Sequence, residues 1–214
     1  MITTNVSDQM YAFGVIPVIT IENAAQTLEL GDALHEGGLP CAEITFRSKA
    51  AETAIQSMVK AHPEFLVGAG SVLSVEQADK AIQAGVKFII TPGFDEEIVE
   101  YCIGQNVPII PGIATPTEIN LALKKNLSIC KFFPAEALGG VRTLKAISEP
   151  YQHVRFLPTG GINADNLKDY LVLPQVLACG GSWMVKKELI NAGQFNAITL
   201  LIKEAMKLVA EVRS

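Results

Sequence analysis

The sequence predicts an α/β protein built as one (β/α)8 TIM barrel over residues 1–214. Three observations lead there. Eight short apolar or alternating runs recur along the chain, their starts separated by 27, 24, 21, 21, 21, 25 and 23 residues. Helix-like segments such as "AETAIQSMVKAH" and "SVEQADKAIQAG" lie between them. No linker, low-complexity block or shift in composition divides the chain. Strand–helix alternation at this period is the pattern of a parallel sheet covered by helices, and eight units close a barrel at the short end of that fold's length range. A doubly wound open sheet would usually place a Gly-rich loop after the first strand. Here that position reads "VIPVITIENA".

The residues before Gly14 are expected to form a short helix closing the barrel bottom. The first four strands are "GVIPVIT" from Gly14, "CAEITF" from Cys41, "FLVGAGS" from Phe65 and "VKFIITP" from Val86. The last four are "VPIIPG" from Val107, "SICKFFP" from Ser128, "HVRFLPTGG" from His153 and "VLACGGS" from Val176. Between the third and fourth, Ser74 stands three residues before Gln77, a capping-box spacing, and the segment closes at Gly85. The segment after Gln194 is expected to be a final long helix.

A formal charge of −5 and a pI near 5.3 argue against a nucleic-acid surface. The pairs Lys124-Lys125 and Lys186-Lys187 read as solvated. The start "MITTNVSDQMYAF" lacks the layout of a signal peptide, and no stretch approaches the roughly 18 apolar residues of a spanning helix. Cys41, Cys102, Cys130 and Cys179 lie far apart, and His35, His62 and His153 stand alone. The expectation is a reduced, cytoplasmic protein with no metal, no cofactor and no membrane contact.

In such a barrel the site sits at the C-terminal ends of the strands. Side chains alternate between faces, so in the second strand Glu43, Thr45 and Arg47 share one side while Ala42, Ile44 and Phe46 share the other. The apolar set must face the helices, which turns the carboxylate, hydroxyl and guanidinium inward. Glu43 and Arg47 could simply pair with each other. In the sixth strand Ile129, Lys131 and Phe133 share a face. A lysine there could extend along its own stem to water. Its setting between Cys130 and Phe132, roughly opposite an inward Glu43, favours a catalytic amine instead. Desolvation disfavours the ammonium form, as a Schiff-base nucleophile requires.

The seventh run ends in "PTGGI" and the eighth in "CGGSW". Two Gly-Gly pairs at the last two strand ends match the phosphate corner recurrent in barrels. Without Cβ atoms, the N–H groups of Gly160, Gly161 and Gly181 can approach phosphate oxygens closely, and Thr159 and Ser182 add hydroxyls. At "GAGS", Gly70 and Ser71 could donate to a small anion, or the glycine could serve a turn alone. The inventory fits Schiff-base chemistry on a phosphorylated keto-acid. Lys131 condenses with the ketone, Glu43 moves protons, Arg47 with Ser71 holds the carboxylate, and the glycine corner holds the phosphate.

The segments "EITFR", "VGAGSVL", "TPG", "PGIATPTE", "KFFPAE", "PTGGI" and "CGGSW" resemble, in unbroken order from about Ile16 to Trp183, the 2-keto-3-deoxy-6-phosphogluconate (KDPG) aldolases, also called 4-hydroxy-2-oxoglutarate (KHG) aldolases. The resemblance implies a class I aldolase that splits KDPG into pyruvate and glyceraldehyde 3-phosphate. It also implies a side activity on 4-hydroxy-2-oxoglutarate, giving pyruvate and glyoxylate, a place in the Entner–Doudoroff pathway and a homotrimeric assembly. Carried over, Lys131 forms the Schiff base and Glu43 is the general acid/base. Arg47 and Ser71 bind the pyruvate carboxylate, Pro92 and Phe133 line the pocket, and Thr159, Gly160, Gly161 and Ser182 meet the phosphate. Close relatives often carry Thr at the position of Ser71. The competing hypotheses are an aldolase tuned to unphosphorylated 4-hydroxy-2-oxoglutarate and a barrel that binds phosphorylated metabolites without covalent catalysis, with Lys131 as counter-ion.

Overall fold

The computed structural model describes residues 4–213. The chain runs through α1 (Thr4–Phe13), β1 (Val15–Ile19), α2 (Thr27–Glu36), β2 (Cys41–Thr45), α3 (Ala51–Ala61), β3 (Leu66–Gly70) and α4 (Val75–Gln83). It continues with β4 (Phe88–Ile90), α5 (Glu96–Gly104), β5 (Ile109–Ile110), β6 (Gly112–Ile113), α6 (Pro116–Lys124) and β7 (Ile129–Phe132). The last elements are α7 (Gly140–Ser148), β8 (Arg155–Phe156), α8 (Leu167–Leu171), β9 (Cys179–Gly181), α9 (Lys187–Asn191) and α10 (Phe195–Arg213). Each of the eight expected runs contains strand, and α1 and α10 occupy the segments read as first and last helices.

The strands form a six-stranded sheet in the order β5-β4-β3-β2-β1-β9 and a three-stranded sheet in the order β6-β7-β8. Every pairing is parallel. The expected single sheet of eight strands is therefore not what the ladders give. The break falls inside the fifth run, between β5 and β6, at Pro111. Proline has no N–H to donate to a ladder, although its carbonyl still accepts from the Lys131 N–H at 2.8 Å. Isolated parallel bridges join Phe156 to Val176 and Thr159 to Gly180, linking the β8 region to the β9 region.

β1, β2 and β3 are buried at every position, as expected for parallel strands covered by helices. Local signals fix the helix starts. Ser74 caps α4 by accepting from the Gln77 N–H at 3.2 Å, but the Gln77 side chain reaches the Leu73 N–H at 2.8 Å, one residue before the cap. The reciprocal capping box is complete at α6 instead, between Thr115 and Glu118. At the far end of the chain, α10 buries Ile198, Ile202, Ala205 and Val209. The guanidinium of Arg213 donates to the Val176 and Leu177 carbonyls at 3.2 and 3.0 Å and lies 4.2 Å from the Tyr11 ring centroid. The last helix is thereby tied to α1 and to the approach to β9.

Candidate active site

β2 and β7 deliver the two groups of opposite charge that their alternation predicted. Lys131 is 2% exposed and Glu43 fully buried. The Lys131 Nζ lies 3.3 Å from Glu43 Oε1, and the Phe133 ring centroid lies 5.2 Å from the same nitrogen. The lysine therefore does not reach water along its stem. Nor does Glu43 pair with Arg47. The second carboxylate oxygen, Oε2, is buried without a hydrogen-bond partner among the described residues. A lone acceptor in a dry site costs roughly 1–3 kcal/mol.

The space for Glu43 comes from the end of β3. A Cβ placed on Gly70 would lie 2.1 Å from Glu43 Oε1 and 2.6 Å from its Cγ. Gly70, expected as a turn or an anion donor, is the residue whose missing side chain admits the carboxylate. Its neighbour Ser71 adopts φ 52°, a left-handed backbone uncommon outside glycine. That backbone brings the serine hydroxyl to Arg47, whose Nε donates to Ser71 Oγ at 3.0 Å. The structure thus joins the two residues assigned to a keto-acid carboxylate.

A cavity of about 530 Å3 opens at the mouth. Thr159, Gly160, Gly161, Gly181 and Ser182 all line it, together with Arg47 and Phe133. Lys131, Glu43, Ser71 and Pro92 are not among its lining residues. Phe133 is the shared wall between the buried pair and the open cavity. Pro92 follows Thr91, whose hydroxyl donates to the Gly93 carbonyl at 2.7 Å. Its own carbonyl sits against Gly112, 2.1 Å from where a Cβ would be. Pro92 therefore packs on the neighbouring strand and does not border the cavity.

The segments "KFFPAE" and "PTGGI" are laced together. The Ala135 and Glu136 N–H groups donate to the Thr159 and Gly160 carbonyls at 2.8 and 3.0 Å. Gly161 has φ 82°, and a Cβ there would lie 2.6 Å from the Glu136 side chain. The buried Tyr170 hydroxyl donates to Glu136, and burial, followed by that hydrogen bond to the carboxylate, pushes the phenol above its ordinary range. Glu136 and Tyr170 were not singled out from sequence, because a brace across two distant strand ends has no local spacing to reveal it.

The rim carries more charge than the sequence suggested. Lys186 and Lys187 border the cavity. Lys187 pairs with Glu22 at 2.6 Å, and Lys187 and Asn191 together hold the Glu22 carboxyl below its usual value. Thr20 also lines the cavity, and its hydroxyl lies 3.0 Å from that of Thr45. Among the described residues no cluster of His, Cys, Asp or Glu is placed to hold a metal ion. No described helix is long and apolar enough to cross a membrane. Chemically, the arrangement offers an amine against a carboxylate in a dry site, beside a cavity whose wall is rich in glycine N–H groups.

The family model for KDPG and KHG aldolases matches residues 6–201. The 2-dehydro-3-deoxy-phosphogluconate aldolase of Treponema pallidum is 48% identical over 91% of this chain and 93% of its own length. The KHG/KDPG aldolase of Escherichia coli K12 is 42% identical over 90% of this chain and 91% of its own. Among solved structures, the KDPG aldolase of Legionella pneumophila, with pyruvate captured as a covalent carbinolamine intermediate, superposes with a TM-score of 0.91 at 38% identity. That superposition covers 94% of this chain and 98% of the other. The Zymomonas mobilis ZM4 aldolase with 3-phosphoglycerate gives 0.87 at 37% identity over 94% and 95%. Matched along nearly its whole length, with the amine–carboxylate pair and the glycine corner in place, this chain belongs to the KDPG and KHG aldolase family.

Proposed function

We propose that this protein is a class I aldolase cleaving 2-keto-3-deoxy-6-phosphogluconate to pyruvate and glyceraldehyde 3-phosphate, with a side activity on 4-hydroxy-2-oxoglutarate that yields pyruvate and glyoxylate. The observation that carries this reading is the buried contact of 3.3 Å between Lys131 Nζ and Glu43 Oε1. A proton passed from the ammonium to the carboxylate leaves a free amine. That amine adds to the C2 ketone, forming a carbinolamine. Glu43 supplies a proton as the C2 oxygen leaves as water, and an iminium remains. Glu43 then takes the C4 hydroxyl proton, the C3–C4 bond breaks, and its electron pair moves into the iminium to give an enamine. The aldehyde departs. Protonation at C3 and hydrolysis of the imine release pyruvate and restore Lys131.

Arg47 and Ser71, already hydrogen-bonded to each other, hold the pyruvate carboxylate. Phe133, against the Lys131 amine and on the cavity's edge, forms the apolar wall. Thr159, Gly160, Gly161, Gly181 and Ser182 receive the phosphate in the cavity they line. That phosphate corner supports the phosphorylated substrate as the main one. A plain metabolite binder would have little use for a carboxylate desolvated against the amine, because burying such a pair costs stability and brings an anion binder nothing.

The two sheets are read as arcs of one closed (β/α)8 barrel. The bridges at Phe156–Val176 and Thr159–Gly180 support closure on one side. The continuity of the chain through Pro111 supports it on the other. Family resemblance supports a homotrimer, the Entner–Doudoroff pathway and the cytoplasm as its setting. The test is direct: KDPG added to the purified protein should give pyruvate and glyceraldehyde 3-phosphate in equal amounts. Failure to release pyruvate would overturn the assignment.

A further inference from the structure

In the six-stranded sheet β1 lies between β2 and β9. Its inward face therefore separates the strand that carries Glu43 from the strand that ends in the glycine corner. Val18 pairs in register with Glu43 and Ile19 with Ile44. Thr20 is consequently level with Thr45, two residues nearer the mouth than Glu43, or about 7 Å at the rise of a strand. Val18 and Thr20 both line the cavity.

The hydroxyl protons here have forced directions. Thr45 Oγ1 lies 2.9 Å from the Ile19 carbonyl, which can only accept. A threonine hydroxyl has one proton, so Thr45 commits it to Ile19. In the 3.0 Å contact between Thr45 and Thr20, Thr20 must then be the donor. Its own proton is thereby committed to the buried Thr45. What Thr20 retains is acceptor capacity alone, at a position half-buried on the cavity wall.

We propose that Thr20 is a specificity residue that accepts a hydrogen bond from the substrate hydroxyl on the carbon next to the phosphate-bearing carbon. This rests on the aldolase reading above and deepens it. Of the groups spanning the two ends of the site, the C4 hydroxyl must yield its proton to Glu43 for the bond to break, and the ionised phosphate has acceptors for the glycine corner. The remaining donor between them is the C5 hydroxyl. Thr20, on the strand between those two ends, offers it an acceptor whose direction is already set. The wall therefore selects α-hydroxylated aldehyde phosphates over their deoxy counterparts.

The test is the aldol addition of pyruvate to D-glyceraldehyde 3-phosphate and to 3-oxopropyl phosphate, which lacks that hydroxyl, by wild type, T20V and T20S. Valine keeps the shape and removes the acceptor. T20V should lower the ratio of kcat/KM for the hydroxylated over the deoxy aldehyde about three- to tenfold, the range of one neutral hydrogen bond. T20S should restore most of the ratio. An equal loss with both aldehydes, or an unchanged ratio, would overturn the proposal while leaving the aldolase reading intact. A wild-type protein that adds pyruvate to neither aldehyde would overturn both.

Discussion

The buried pair at the ends of β2 and β7 and the glycine corner beyond β8 and β9 belong to one site but are built in opposite ways. The first is made of two charged side chains with almost no access to water, 3.3 Å apart. The second is made largely of backbone, with two consecutive left-handed glycines opening on a cavity. In a dry site each charge depends on the other, and removing one partner of such a pair costs about 3–5 kcal/mol where the remaining group stays charged. At an open glycine corner many weak donors share the load, so losing one costs only the margin of a hydrogen bond. On the proposed function, chemistry is concentrated where a single substitution is expected to be severe, and recognition is spread where it is expected to be mild.

Substitutions can break that contrast at each level. Glu43→Gln keeps the shape and removes the base. Turnover of KDPG should fall by about 10²–10⁴-fold, while slower formation of a reducible pyruvate adduct stays detectable. Near-normal steady-state turnover would remove Glu43 from proton transfer. Gly70→Ala places a methyl where the carboxylate now lies, and a displacement of that size can cost up to about 10²-fold in kcat. If Gly70→Ala matched wild type in kcat, the space beside Glu43 would not be limiting. Ser182→Ala is the mildest. It should raise KM for KDPG by about two- to tenfold, and by more than for 4-hydroxy-2-oxoglutarate. Equal effects on the two substrates would detach Ser182 from the phosphate.

The same contrast explains what could be read from the sequence. A parallel strand enforces alternation, so the inward turn of Glu43 and Lys131, and the sharing of one face by Lys131 and Phe133, followed from position alone. The nearness of Arg47 and Ser71 was expected from their shared assignment to one carboxylate, whereas the hydrogen bond between them was not. Contacts set by a third strand were not. Gly70 read as a turn or an anion donor because the depth of the Glu43 side chain against β3 depends on register. Glu136 and Tyr170 brace Gly161 from elements far apart in the chain. Pro92 was expected on the pocket wall, whereas it packs against Gly112. The split of the fifth run was not anticipated: "VPIIPG" read as one strand, although the missing N–H of Pro111 interrupts the ladder inside it. The Lys186-Lys187 pair read as ordinary surface because nothing local shows that the strand before it ends at a cavity.

Lys131 is the nucleophile of the proposed mechanism, and trapping with borohydride tests that role most directly. Incubation with pyruvate and borohydride, followed by peptide mass mapping, should place a reduced pyruvyl adduct on Lys131. An adduct confined to another lysine, or none at all, would contradict the account.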